Sequence, residues 1–77
     1  MRDLLEYIAT LLVDYPEDVK VDEELAADSC VLKLSVRRED VGKVIGKQGR
    51  TARAMRNLVI AAGQLHGQRV SVAVVDG

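Results

Sequence analysis

Gly46 and Gly49 break an otherwise helical pattern, and the two residues between them, Lys47 and Gln48, are polar. Upstream, Val41, Val44 and Ile45 share one helical face, and Glu39 and Asp40 supply the negative first turn that favours a helix start. Downstream, a longer helix is expected from about Arg50 to His66, ending at Gly67, a residue suited to the left-handed position past a helix C-terminus. Two helices joined by so short a link turn sharply, and glycines there let another backbone come close. Taken alone, the link also fits a plain helix-helix turn.

The surrounding charge favours a ligand. Lys43 and Lys47 precede or occupy the link, Arg50 follows it, and Arg53 and Arg56 continue along the next helix. A helix N-terminus adds free backbone N–H groups and a favourable dipole, so phosphate is the expected guest. The net charge of −1 hides this bias. Residues 1–28 hold two basic and nine acidic residues, a balance of −7, whereas residues 29–77 hold nine basic and three acidic, a balance of +6.

The flanking segments set the fold class. Leu4, Leu5, Ile8, Leu11, Leu12 and Tyr15 recur at helical spacing, which predicts an amphipathic helix over residues 3–14 that Pro16 terminates. Val19 and Val21 alternate with Lys20 and Asp22 as a short edge strand, and Ala26 to Ser29 reads as a turn. Cys30, Leu32, Leu34 and Val36 alternate with Val31, Lys33, Ser35 and Arg37, the clearest strand; Val70, Val72 and Val74 form the last. The order α-β-β-α-α-β predicts an α+β fold, a three-stranded mixed sheet with three helices packed on one face. On the long helix, a wheel places Thr51, Ala54, Met55, Leu58, Ala61, Ala62 and Leu65 toward the sheet, with Val59 and Ala52 at the margin and Ile60 opposite.

At 77 residues, with 48% hydrophobic and 30% charged content, residues 1–77 suit a single domain that a partner subunit would help to hold together. No apolar run approaches the roughly 20 residues of a membrane span, and Met1-Arg2-Asp3-Leu4 lacks a signal-peptide pattern, so a cytoplasmic protein is expected. One cysteine and one histidine make neither a disulfide nor a zinc set; Cys30 is expected in the core and His66 at a helix end. No metal and no cofactor is expected. A P-loop is excluded by glycine spacing one residue short and by Gln48 where Ser or Thr would hold magnesium, and a Rossmann fingerprint by the spacing of Gly42, Gly46 and Gly49.

Val44-Ile45-Gly46-Lys47-Gln48-Gly49-Arg50 resembles the KH (K-homology) signature, an aliphatic pair before a GxxG loop that clamps about four nucleotides of single-stranded backbone. The element order is similar to the type II arrangement, with the extra helix and strand at the N-terminus. The resemblance implies that Gly46 and Gly49 admit the nucleic-acid backbone and that Lys47 and Gln48 contact phosphate or sugar. Arg50, Lys43 and Arg53 would add charge, and Ile45 and Val44 would floor an aliphatic groove. The absence of Phe and Trp suits such a groove and opposes an RRM or cold-shock barrel, whose strands carry aromatic platforms. Ala52 stands where many KH domains carry a larger aliphatic residue, which implies a shallower groove. The expected function is single-stranded RNA binding without enzymatic activity, as in bacterial RNA chaperones and post-transcriptional regulators. The alternatives are an adaptor that dimerises with a larger, KhpB-like KH protein while binding little RNA itself, and a single-stranded DNA binder. The resemblance further implies a homodimer or such a heterodimer, with a helix-to-helix interface expected at Ile60, Arg53, Arg56 and Gly63.

Overall fold

The computed structural model describes residues Met1–Val75. Its elements run α1 (Arg2–Leu12), β1 (Lys20–Leu25), β2 (Ser29–Ser35), α2 (Val41–Ile45), α3 (Arg50–Leu65) and β3 (Arg69–Val75). Single 3₁₀ turns lie at Pro16–Asp18, Arg38–Asp40 and Lys47–Gly49. The sheet order is β1-β2-β3, with β1 antiparallel and β3 parallel to β2. The α+β architecture, the mixed sheet and its three helices are as expected from sequence.

Each element follows from local chemistry. α1 buries Leu5 and Ala9, one turn apart, and stops where Val13 becomes extended (φ −104, ψ 160) ahead of Pro16. β1 buries only Val21, as an edge strand with charged neighbours does, yet it reaches Leu25 because the tight turn closed by Ala26 N–H to Ser29 O at 2.9 Å extends the ladder. In β2, Cys30, Leu32 and Leu34 are buried while the alternate residues are partly exposed, so the helices cover one face. A parallel β2–β3 pair needs a long crossover, and α2, the glycine link and α3 supply it. The 16 residues of α3 span about 24 Å, matching the roughly 23 Å of the seven-residue strands it recrosses. The link therefore lies beyond the end of the sheet where β2 finishes.

The face that α3 buries differs from the expected one. Met55 is buried as expected, but Val59 and Gly63 are buried with it, whereas Ala54, Leu58, Ala61 and Leu65 face outward, Leu58 being 59% and Leu65 87% exposed. The helix carries two apolar stripes, and close packing on β3 selects between them: a Cβ on Gly63 would lie 2.5 Å from Val70 Cγ2. Only the stripe containing Gly63 lets the helix approach that closely. The helix ends as expected at His66, where Gly67 (φ +69) and Gln68 fold back to bond the carbonyls of Gln64 and Gly63 at 3.1 and 2.9 Å.

Candidate nucleic-acid interface

α2 ends when Gly46 turns to φ +76, ψ 175, a conformation open essentially to glycine alone. Gln48 follows at φ +57 and Gly49 at φ +74, so three of the four link residues have left-handed φ. The two glycines serve different ends. A Cβ on Gly46 would sit 2.6 Å from Thr51 Cβ and closer still to Thr51 Oγ1, so Gly46 is required by packing against the first turn of α3. Gly49 has nothing within 4 Å of such a position, so its lack of a side chain leaves open space in front of α3. Gln48 is the only non-glycine residue with left-handed φ among those described, held between two glycines, and its Oε1 accepts a bond from Arg50 Nη2 at 3.4 Å.

No side chain caps α3. The N–H of Arg50 is taken by the carbonyl of Lys47 in the 3₁₀ turn before it; the N–H groups that follow in the first turn of a helix have no partner within it and point toward the link. They combine with Lys47, Arg50, Arg53 and Arg56, all exposed and none within 4.0 Å of a carboxylate among the described residues. Backbone donors, a helix dipole and unneutralised cations together suit phosphate oxygens.

Two expected contact residues are placed otherwise. Val44 has no exposed surface; it belongs to the core and supports the link from beneath, which leaves Ile45, at 38% exposure, as the aliphatic surface. Lys43 is already engaged: its Nζ lies 2.6 Å from Asp14 Oδ2 and 3.6 Å from Asp40 Oδ1. The hydrogen bond to Asp14 raises its pKa above the ordinary lysine range, and this pairing draws its charge away from a ligand. The pair leads to a residue the sequence pattern did not single out for contacts. Asp40, wholly buried, accepts the backbone N–H of Asp14 at 3.2 Å and of Tyr15 at 3.0 Å. A buried carboxylate so satisfied fastens the chain after α1 to the start of α2. Those partners lie 25 and 26 positions away, beyond any local signal.

The residues expected at a helix-to-helix interface divide. Arg53 and Arg56 are exposed and Ile60 is half-buried, lining a cleft of about 300 Å³ with Gln64, Gly67, Gln68, Arg69 and Val70. Gly63 is buried against Val70 of its own chain, so it is not the point of close approach for another helix. Among the described residues, no group of three or more His, Cys, Asp or Glu is arranged to hold a metal, and no helix is long and apolar enough to cross a membrane.

A sequence model described as the KH domain of KhpA and KhpB matches residues 2–74. The RNA-binding protein KhpA of Halalkalibacterium halodurans is 49% identical over 76 residues, covering 99% of this chain and 100% of that one. The proteins of the same description from Clostridium perfringens and Bacillus subtilis are 51% and 46% identical, covering 97% and 99% of this chain and 100% and 94% of theirs. In three dimensions, a crystal structure of an Aquifex aeolicus Era variant with bound GDP and AlF4− superposes with a TM-score of 0.66. That match covers 97% of this chain and 29% of the larger one, at 17% identity, and bears on the fold alone.

Proposed function

The chain belongs to the KhpA/KhpB KH-domain family, and we propose that it is a non-enzymatic protein that binds single-stranded RNA through residues 45–50 and the N-terminus of α3. The observation that carries this reading is the uncapped start of α3 behind a left-handed glycine turn, with Lys47 and Arg50 exposed and unpaired beside it. Gly49 leaves room for a sugar-phosphate backbone, α3 donates to phosphate, and Ile45 lends apolar surface to a base. Backbone contacts without aromatic platforms give weak base preference, which suits an RNA chaperone or a post-transcriptional regulator in the cytoplasm. The curated relatives are named as RNA-binding proteins, which supports the same reading.

The test is titration with short oligoribonucleotides. Amide signals from Ile45 to Arg53 should shift, affinity should fall steeply with added salt, and the double variant Lys47→Asp/Gln48→Asp should stay folded and lose binding. Binding unchanged in that folded variant refutes the assignment. Equal affinity for the DNA counterpart would favour a general single-strand binder, and no shift with either would leave the adaptor reading.

Association of two copies, or of this chain with a larger KH protein, through the side of α3 that carries Ile60 is favoured by the cleft that Ile60 lines. Ile60→Asp should lower the solution mass to that of a monomer. An unchanged mass rules out an interface centred there.

A further inference from the structure

A second concave, positively charged site lies away from the glycine link. Asp18, Lys20, Ser35, Val36, Arg37 and Arg38 line a cleft of about 380 Å³ where β1 begins and β2 ends. Arg37 is fixed in place: its guanidinium lies 4.0 Å over the Tyr15 ring, and its Nε is 3.1 Å from Asp18 Oδ2. Asp18 offsets that charge, with Glu39 Oε2 more distant at 3.9 Å. Lys20 and Arg38 are exposed and have no carboxylate within 4.0 Å among the described residues, so a surplus positive charge faces the cleft.

Arg37 and Arg38 belong to the basic stretch 29–77, but Lys20 comes from residues 1–28, which carry only two cations. Arg2 is bonded to Val21 O and paired with Asp3 and Glu6, whereas Lys20 remains free at the cleft. Lys20, Arg38 and the Ser35 hydroxyl are donors suited to phosphate oxygens, with the Arg37 guanidinium, its Nε already engaged by Asp18, beside them. The cleft is also close to the link. Lys20 pairs with Ser35 at the end of β2, and from Arg38 the chain passes through one 3₁₀ turn and the five residues of α2 to Gly46. That helical path is on the order of 15 Å.

We propose that the cleft formed by Lys20, Ser35, Arg37 and Arg38 is a second phosphate-binding site, which holds the backbone of a single-stranded RNA a few nucleotides from the segment gripped at the glycine link. The proposal rests on the RNA reading above and extends the footprint across the end of the sheet. Free phosphate would meet the same donors. A strand anchored at the link is favoured over the free ion because its next phosphates are held near the cleft at high effective concentration.

The experiment compares oligoribonucleotides of about four and about twelve residues of one base composition, by fluorescence anisotropy, on the full chain, its Lys20→Ala/Arg38→Ala variant and its Lys47→Asp/Gln48→Asp variant. The cleft variant should bind the short oligomer within about twofold of the parent and the long one roughly tenfold more weakly. Its salt slope on the long oligomer should fall by about 1.4, at 0.7 per lost contact. Lys20→Arg/Arg38→Lys should restore both quantities, and millimolar inorganic phosphate should not compete at matched ionic strength. Undiminished binding of the long oligomer, equal loss on both lengths, failed rescue or competition by free phosphate overturns the proposal. If the link variant loses RNA while the cleft variant keeps it, only this site falls; if the parent binds neither oligomer, the RNA reading falls with it. Both cleft residues are exposed and unpaired, so thermal unfolding should be unchanged, and a drop there with loss on both lengths counts against the site.

Discussion

The carboxylate of Asp40, fully enclosed, lies 3.0 Å from the backbone nitrogen of Tyr15 and accepts its N–H. The same group accepts from Asp14 and lies 3.6 Å from Lys43 Nζ, so one side chain holds the exit of α1 against the start of α2. The five residues of α2 are too few to be stable alone. Their direction, and that of the link after them, depends on this fastening. Asp40→Asn keeps the volume but turns one acceptor into a donor facing a backbone N–H, and should cost about 2 kcal/mol. Asp40→Ala should cost at least as much. A domain of this size has roughly 4–12 kcal/mol in total, so both shifts should be plain in urea unfolding, and an unchanged midpoint would show that Asp40 fastens nothing.

The glycines of the link separate stability from ligand access. Gly46→Ala meets both a glycine-only backbone conformation and the side chain of Thr51, and should destabilise by about 3 kcal/mol. Gly49→Ala meets only the left-handed φ, with open space around the new methyl, and should cost about 1 kcal/mol. RNA affinity should respond in the opposite order when corrected for folded fraction, because the methyl at position 49 occupies the space left for the strand. Equal unfolding midpoints for the two variants would contradict this division.

The burial of α3 is open to a direct check. Val59→Ala removes a buried group that the wheel placed at the margin and should cost about 2–4 kcal/mol. Leu58→Gln and Leu65→Gln change outward side chains and should each stay within about 0.5 kcal/mol in a monomer. Chemical denaturation at low protein concentration reads the difference. The reverse ranking would restore the face expected from the wheel.

That face marks how far the sequence is legible. Alternation in Cys30, Leu32, Leu34 and Val36 has one interpretation, because a strand has two sides and one is buried; the strand and its covered face follow from it, whereas the order β1-β2-β3 is set by pairing between distant segments. The glycine link was legible for a similar reason, since few structures need two glycines in that setting. α3 offered two apolar stripes that share Met55 and have centres little more than a quarter of a turn apart, and periodicity cannot rank them. What ranks them is Gly63 against Val70, a contact between elements. Asp40 and the cleft at Lys20 were invisible for the same cause: each joins residues that only the fold brings together.

Cys30 offers a test of the core through pH. The buried thiol has its pKa raised, first by loss of water and then by its hydrogen bond to Glu23, whose Oε2 lies 3.6 Å from Sγ. A raised pKa in the folded state means that folding favours the neutral thiol. The stability this contributes is complete below the thiol's unfolded pKa, near 8.5, and is lost as pH rises through the higher folded value. Replacing Cys30 by Ala removes that dependence along with the buried sulfur, at a cost of about 1 kcal/mol near neutrality. The stability gap between the parent and Cys30→Ala, from urea unfolding under reducing conditions, should therefore narrow between pH 7 and about pH 10. A gap that widened over that range would place the thiolate, rather than the thiol, in the folded core.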